Sequence, residues 1–303
     1  MRPVLALALA AGLAVTAAPA QEPVTVKWSL KKGETFFAKG VTDMDMSMGI
    51  LGMNIDFQMK TTAVQKFKVL AVEPGATTVE MTMMDMAMEV TGLPGGAGGI
   101  PGLGGFGDKV KGAKISAVLD DKMQVTKLIG YDKFLDKLAG DDDALRTQMQ
   151  TQLSEGAVGQ MVSQAFTSVP PGPVSAGDTW SRTTKVPAAG IGDATVKEKY
   201  TFDGVSNGLA KILVVGDMSF KAGKGGLPGL PPGVKISKFD MKADKYTGTQ
   251  TFDMKAGRLK EGKLDMSMKG SMSMSANGQD IEMTMRIKAK QSTTITDKNP
   301  AVD

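Results

Sequence analysis

The sequence predicts an α+β protein that is mostly antiparallel β, in which two β-meander halves are joined by a short helical segment. Apolar and polar residues alternate with a period of two through most of the chain, as is typical of half-buried antiparallel strands. The middle of the chain changes to helical spacing, and turn signals rich in glycine and proline separate the alternating segments. We expect the strands to form an open barrel or a cradle.

The N-terminal half, residues 21–130, is predicted to be a β-meander whose strands carry methionine at alternate positions. The stretch "DMDMSMG" in the first strand places methionines on one face and aspartates and a serine on the other. The third strand changes phase at Met83 and Met84, which predicts a β-bulge there. Residues 92–107, "GLPGGAGGIPGLGGFG", are predicted to be a loop.

Residues 131–168 are predicted to be helical, because their apolar residues recur at spacings of three and four. Gly140 fits the C-cap of a first helix. One aspartate of residues 141–143 fits the N-cap of the next helix, since carboxylates accept hydrogen bonds from free backbone N–H groups there.

The C-terminal half, residues 169–303, is predicted to be a second β-meander that forms one continuous fold with the first. Its clearest alternation is "LDMSMKGSMSMS", which starts at Leu264. The motif "GLPG" occurs at 92–95 and again at 226–229, which suggests an internal repeat.

The first twenty residues have the pattern of an export signal. Arg2 precedes a long apolar run, and Ala18, Pro19 and Ala20 fit a cleavage site after Ala20. We therefore expect a periplasmic or extracellular protein with no transmembrane segment after signal cleavage. The chain has no cysteine, so packing has to hold it together without disulfides.

The composition excludes several classes of chemistry. The chain has no histidine, so it has no Ser-His-Asp triad and none of the usual zinc sites. Phosphate-binding glycine motifs are also missing. The net charge of +4 is too small to indicate nucleic-acid binding, and no basic run is present. We predict a non-catalytic protein with no cofactor and no metal.

The alternating methionines are the strongest candidate for a functional surface. Methionine is flexible and polarisable, which suits an apolar surface that accepts ligands of varied shape. We predict a surface for a hydrophobic small molecule, such as a lipid, or for an envelope protein. The predicted surface consists of Met44, Met46, Met48, Met84, Met86, Met88, Met266, Met268, Met272 and Met274.

Two alternatives explain the same pattern. Thioethers suit Cu(I) and Ag(I), so the chain would be a periplasmic soft-metal binding protein. Methionines that only fill a core would instead make it a purely structural envelope protein.

Two motifs carry a family resemblance: "WSLKKGETF", starting at Trp28, and "PGPVSAGDTW", which ends at Trp180. With the helical middle and the "FDMKAGRL" hairpin, they resemble an uncharacterised family of exported bacterial proteins, a domain of unknown function with a Pro-Val-x-x-Gly-Asp-x-Trp junction. The resemblance implies a signal peptide and β-meanders, and it implies no activity. Asp178 and Trp180 are expected to be structural, as a turn and a core anchor.

Overall fold

We describe the fold from a computed structural model, which describes residues 22–50, 52–92, 106–163, 165–166, 168–188, 192–222, 235–276 and 279–300. The described strands form one open antiparallel sheet of eleven strands, in the order β5-β4-β3-β2-β1-β11-β10-β9-β8-β7-β6. The mostly antiparallel prediction is confirmed. β1 pairs with β11, so the described strands belong to one continuous sheet, and the description as two halves is not confirmed.

The first part of the chain forms five strands and one short helix. These are β1 (Thr35–Ile50), β2 (Met53–Glu73), β3 (Ala76–Thr91), α1 (Phe106–Val110), β4 (Lys114–Leu119) and β5 (Val125–Ile129). The helical segment contains α2 (Tyr131–Ala139), α3 (Asp143–Gln152) and α4 (Glu155–Ser163). The remaining strands are β6 (Thr179–Ala188), β7 (Gly192–Ser206), β8 (Leu209–Ala222), β9 (Lys235–Asp253), β10 (Arg258–Ala276) and β11 (Gln279–Thr296).

The predicted phase change in the third strand is confirmed as a β-bulge. Gln65 of β2 lies opposite Met83, and Val64 lies opposite Asp85, so Met84 is the extra residue. The bulge keeps Met83 and Met86 on the same face of the sheet, since their partners Gln65 and Ala63 lie two residues apart.

The predicted caps of the helical segment are also confirmed. Asp142 is the N-cap of α3, and its Oδ1 accepts a hydrogen bond of 2.9 Å from the Leu145 N–H. Gly140 ends α2 with φ +64°, a conformation that glycine adopts without a steric penalty. The helical spacing of apolar residues runs from Asp141 to Phe166, whereas in the structure α3 ends at Gln152 and α4 begins at Glu155.

The junction before β6 has the predicted structural roles. The Asp178 Oδ2 accepts a hydrogen bond of 2.8 Å from the Ser175 N–H, which closes the turn. Trp180 is buried and stacks on Tyr200, with ring centroids 5.5 Å apart. Residues 1–20 and the second "GLPG" stretch lie outside the described residues, as do 93–105, so the predicted signal, loops and repeat stay predictions.

One face of the sheet, here called the inner face, is the face that carries Phe36 and the residues in register with it on neighbouring strands. At one end of this face an aromatic cluster forms the core, which we call the aromatic end. Phe36 stacks on Phe67 with centroids 5.3 Å apart, and Phe166 contacts Phe67 edge-on at 5.6 Å. Trp28 packs against Phe166 at 5.2 Å, so the N-terminal segment and the end of the helical region both cover the sheet here.

Backbone and side-chain contacts attach the N-terminal segment to the C-terminal half of the chain. Val24 and Val174 exchange two backbone hydrogen bonds of 2.9 Å, and the Ser29 N–H donates to the Gly257 carbonyl at 2.8 Å. Arg258 donates to Glu34 Oε1 at 2.6 Å and also pairs with Asp297. These contacts hold the segment over the aromatic end of the sheet.

Candidate functional site

The ten predicted methionines lie on three central strands: β1, β3 and β10. The register places those of β1 and β10 on the inner face, because Met44 and Met266 both lie opposite Ala289 of β11, and Met46 and Met268 both lie opposite Ile287. Met86 and Met88 share this face, while Met84 is the bulge residue. Most of the ten are half-buried, and Met268 and Met272 are 8% and 3% exposed.

The structure does not bring the three methionine groups into one cluster. β2 separates β3 from β1, and β11 separates β1 from β10. Adjacent strands lie about 4.8 Å apart, so the groups are about 10 Å apart across the sheet. Between them lie other apolar residues of the inner face, including Ile55, Phe57 and Met59 on β2 and Met283, Met285 and Ile287 on β11. We call this continuous apolar area the Met face.

Polar residues separate the Met face from the aromatic end. On β1, Thr42 lies between Ala38 and Met44 on the same face. Its cross-strand partners are Thr61 of β2 and Gln291 of β11, which continue the polar row across the sheet. Along β1 the inner face therefore changes from Phe36 through Thr42 to the methionines.

A cavity of about 330 Å³ lies at this polar boundary, between the end of the helical segment and strands β6 to β11. Ser163 and Phe166 contribute from the helical side, and Glu198, Tyr200 and Tyr246 contribute from β7 and β9. Leu264 and Met266 of β10 also line it, so the cavity opens onto the first residues of the Met face.

Glu198 is the centre of a hydrogen-bond network in this cavity. The Tyr200 hydroxyl donates to its Oε2 and the Tyr246 hydroxyl donates to its Oε1, both at 2.7 Å. Burial raises the pKa of both tyrosines well above the ordinary value, and the Glu198 charge raises it further. Both phenols therefore stay protonated donors, and both carboxylate oxygens of Glu198 are occupied.

Arg182 of β6 is the cationic residue beside this network. Its Cα partner across the strands is Glu198, and its charge lowers the pKa of both Tyr200 and Tyr246, in opposition to burial. Arg182 is half-buried and lines the cavity. Within the described ranges its guanidinium makes no hydrogen bond and no ion pair.

Sequence reasoning missed this cavity entirely, although a signal was present. In β6 and β7 the alternation gives the inner face a Trp-Arg-Thr series and a Val-Glu-Tyr series. A charged residue at an alternating position that is otherwise apolar costs free energy on burial unless it has a partner or a function. Arg182 and Glu198 were therefore recognisable as exceptions. That Tyr246 joins them, 48 residues after Glu198, was not visible from the pattern.

Searched over the described ranges, the chain has no group of three or more Asp, Glu, His or Cys that could hold a metal ion. None of the described helices has the length and apolar character needed to cross a membrane.

Residues 39–258 match the model of a protein family described as a family of unknown function, DUF6263. The chain belongs to the DUF6263 family. The match runs from within β1 to the first residue of β10 and includes Arg182, Glu198, Tyr200 and Tyr246, whereas the Met-rich part of β10 and all of β11 lie beyond it. The resemblance to an uncharacterised family is therefore confirmed.

Solved structures show weak similarity to this DUF6263 chain. A structure of lipid–protein interactions in lipovitellin is 7% identical, covers 91% of this chain and has a TM-score of 0.42. This chain spans 26% of that lipovitellin chain. The outer membrane protein OprG from Pseudomonas aeruginosa is 7% identical, with coverage of 88% and 97% and a TM-score of 0.24. An outer membrane channel from Pseudomonas putida F1 is 8% identical, with coverage of 89% and 98% and a TM-score of 0.23.

TM-scores this low support no inference about the function of the chain. Among curated proteins, none matches the sequence.

Proposed function

We propose that this DUF6263 chain is a non-catalytic, exported protein that binds a lipid-like apolar ligand on its Met face. The observation that carries the proposal is the continuity of the Met face across the central strands. Apolar residues follow one another in register over β2, β1, β11 and β10, and many of them are only half-buried. A surface that only filled a core would be expected to reach the burial of the aromatic end, where Phe36 and Phe67 are 0% exposed.

The choice of methionine supports a ligand surface as well. Methionine is a weaker strand former than valine or isoleucine, so its repeated use on central strands needs another reason. Its unbranched side chain adapts to ligands of different shape, and each methionine that a ligand buries contributes up to about 1.5–3 kcal/mol.

The first experiment asks whether lipid is bound. Protein purified from its own host is analysed by native mass spectrometry, and the extracted ligands are identified. We expect a bound lipid-like molecule, released on denaturation. Protein with no bound small molecule that also fails to take up a fluorescent fatty acid would contradict the proposal.

The second experiment locates the surface. Replacing Met44, Met46 and Met48 by serine removes apolar area from the centre of the Met face and is expected to weaken fatty-acid binding by about tenfold or more. The control is Val215→Ser. Val215 is an exposed apolar residue on the opposite face of the sheet, because its neighbour Val214 lies on the inner face. Equal effects of the two variants would place the binding elsewhere.

A further inference from the structure

The cavity at the polar boundary adjoins the Met face at β10. Leu264 and Met266 line the cavity, and both are half-buried. Met266 and Met44 of β1 lie opposite the same residue of β11, so the half-buried methionines of β1 are the nearest continuation of the Met face. Farther along β10 the surface is closed, because Met268 and Met272 are 8% and 3% exposed. An acyl chain that leaves the cavity at Met266 can therefore lie on the Met face in the direction of β1.

Among the described residues, three charged side chains line the cavity: Arg182, Glu198 and Lys263. Each oxygen of Glu198 already accepts a hydrogen bond from a tyrosine. Lys263, which also lines the cavity, is exposed and pairs with Glu261 at 2.7 Å. The guanidinium of Arg182 has no hydrogen-bond or ion-pair partner in the part of the chain that the structure describes.

A half-buried arginine without a partner among the described residues is suited to bind an anion. It has five N–H donors in one plane, which match the two oxygens of a carboxylate or phosphate. The wall around it supplies neutral hydrogen-bonding groups, including the side chains of Ser163 and Thr184. Glu198 weakens the positive potential without removing the donors, and this favours a head group of low charge.

We propose that the cavity binds the anionic head group of a single-chain amphiphile through Arg182, and that the acyl chain lies on the Met face from Met266 toward the methionines of β1. The head group is a carboxylate or a phosphate. This inference rests on the proposed function and adds to it the class of ligand and its orientation.

The test compares head groups on one chain length. The affinities of palmitate, hexadecyl phosphate and hexadecanol for the ligand-free full chain are measured by displacement of a fluorescent apolar probe. We expect at least one of the two anions to bind about tenfold more tightly than hexadecanol, since charge-assisted hydrogen bonds are the stronger kind. The tighter of the two anions identifies the head group.

Variants then assign the preference to one residue. Arg182→Met is expected to weaken binding of the preferred anion by about tenfold and to leave hexadecanol within about twofold. Arg182→Lys keeps the charge and should recover part of the loss. Lys263→Met is the matched control, because Lys263 is a cavity cation that already has a partner.

The outcomes separate this inference from the proposed function. If neither the anions nor hexadecanol bind, the proposed function is wrong. If all three bind with equal affinity, or if Lys263→Met lowers anion affinity as much as Arg182→Met, the Met face still binds a ligand but the head-group assignment is wrong. The comparison of head groups on the unmodified chain holds even if a variant fails to fold.

Discussion

The aromatic end and the Met face are two regions of the same sheet surface, and they differ in what packs on them. The aromatic end is covered by Trp28 of the N-terminal segment and by Phe166, and its ring contacts are 5.2–6.3 Å between centroids. The Met face continues on the same strands, but most of its methionines do not belong to the core cluster. Strand alternation is the same in both regions.

This difference shows that alternation alone does not make a core. Phenylalanine has few rotamers and packs into a fixed arrangement, which suits a permanently covered surface. Methionine has three flexible torsions and suits a surface whose occupant varies.

The largest effect is expected for Phe67→Ala at the aromatic end. Phe67 is fully buried between the rings of Phe36 and Phe166, so its loss leaves a cavity and should lower the free energy of unfolding by about 3–5 kcal/mol. Met46→Ala on the Met face should cost clearly less, because Met46 is half-buried. Urea denaturation measures both, and equal losses would show that the Met face is a core like the aromatic end.

Substitutions at the polar boundary should have the next largest effect on the free energy of unfolding. Glu198→Ala leaves the Tyr200 and Tyr246 hydroxyls without their acceptor in a largely buried site, which should cost about 1–3 kcal/mol of unfolding free energy. The control is Glu261→Ala, which breaks only the exposed pair with Lys263 and should stay within about 0.5 kcal/mol. A loss from Glu198→Ala no larger than that of the control would contradict the network.

The same network predicts how stability depends on alkaline pH. The pKa of Tyr200 and of Tyr246 is raised in the folded protein, mainly by burial and then by the Glu198 charge. Below the unfolded pKa of 10.0 both states are protonated and the stability is complete. Above it the unfolded tyrosines ionise first, so the free energy of unfolding falls by about 1.4 kcal/mol per pH unit for each tyrosine.

The control for this pH effect is the double variant Tyr200→Phe with Tyr246→Phe. It retains Tyr131 and the lysines, so it shares every other source of alkaline destabilisation. Its unfolding free energy should fall less steeply between about pH 9 and about pH 11. Parallel curves for the variant and the unmodified chain would show that the two phenols ionise as they do in water.

The smallest effect is expected when Met44, Met46 and Met48 are all replaced by leucine. The apolar area is almost unchanged, so each replacement should cost less than about 1.5 kcal/mol and fatty-acid affinity should stay within about twofold. A titration with Cu(I) distinguishes the soft-metal alternative. Tight Cu(I) binding by the unmodified chain that disappears in this variant would support a sulfur site instead of a lipid surface.

Much of the fold was predictable because it is encoded locally. The period-two alternation gave the strands, the phase change at Met83 and Met84 gave the bulge, and the aspartates before α3 gave its N-cap. The break between α3 and α4 was not predicted, since the helical spacing of apolar residues continues through it. The strand order also lay beyond the pattern, because the pairing of β1 with β11 joins residues more than 200 positions apart.

For the candidate site, the sequence determined that methionines alternate with polar residues, because a side-chain period of two is a property of any β-strand. It also determined which chemistry is absent, since a chain without histidine or cysteine lacks those ligands and nucleophiles in any fold. The spacing of the methionine groups, about 10 Å apart on one continuous face, follows from the order of the strands in the sheet. Arg182, Glu198, Tyr200 and Tyr246 come together only in the folded chain, because the strand order and register, which no local pattern encodes, place β6, β7 and β9 around one cavity.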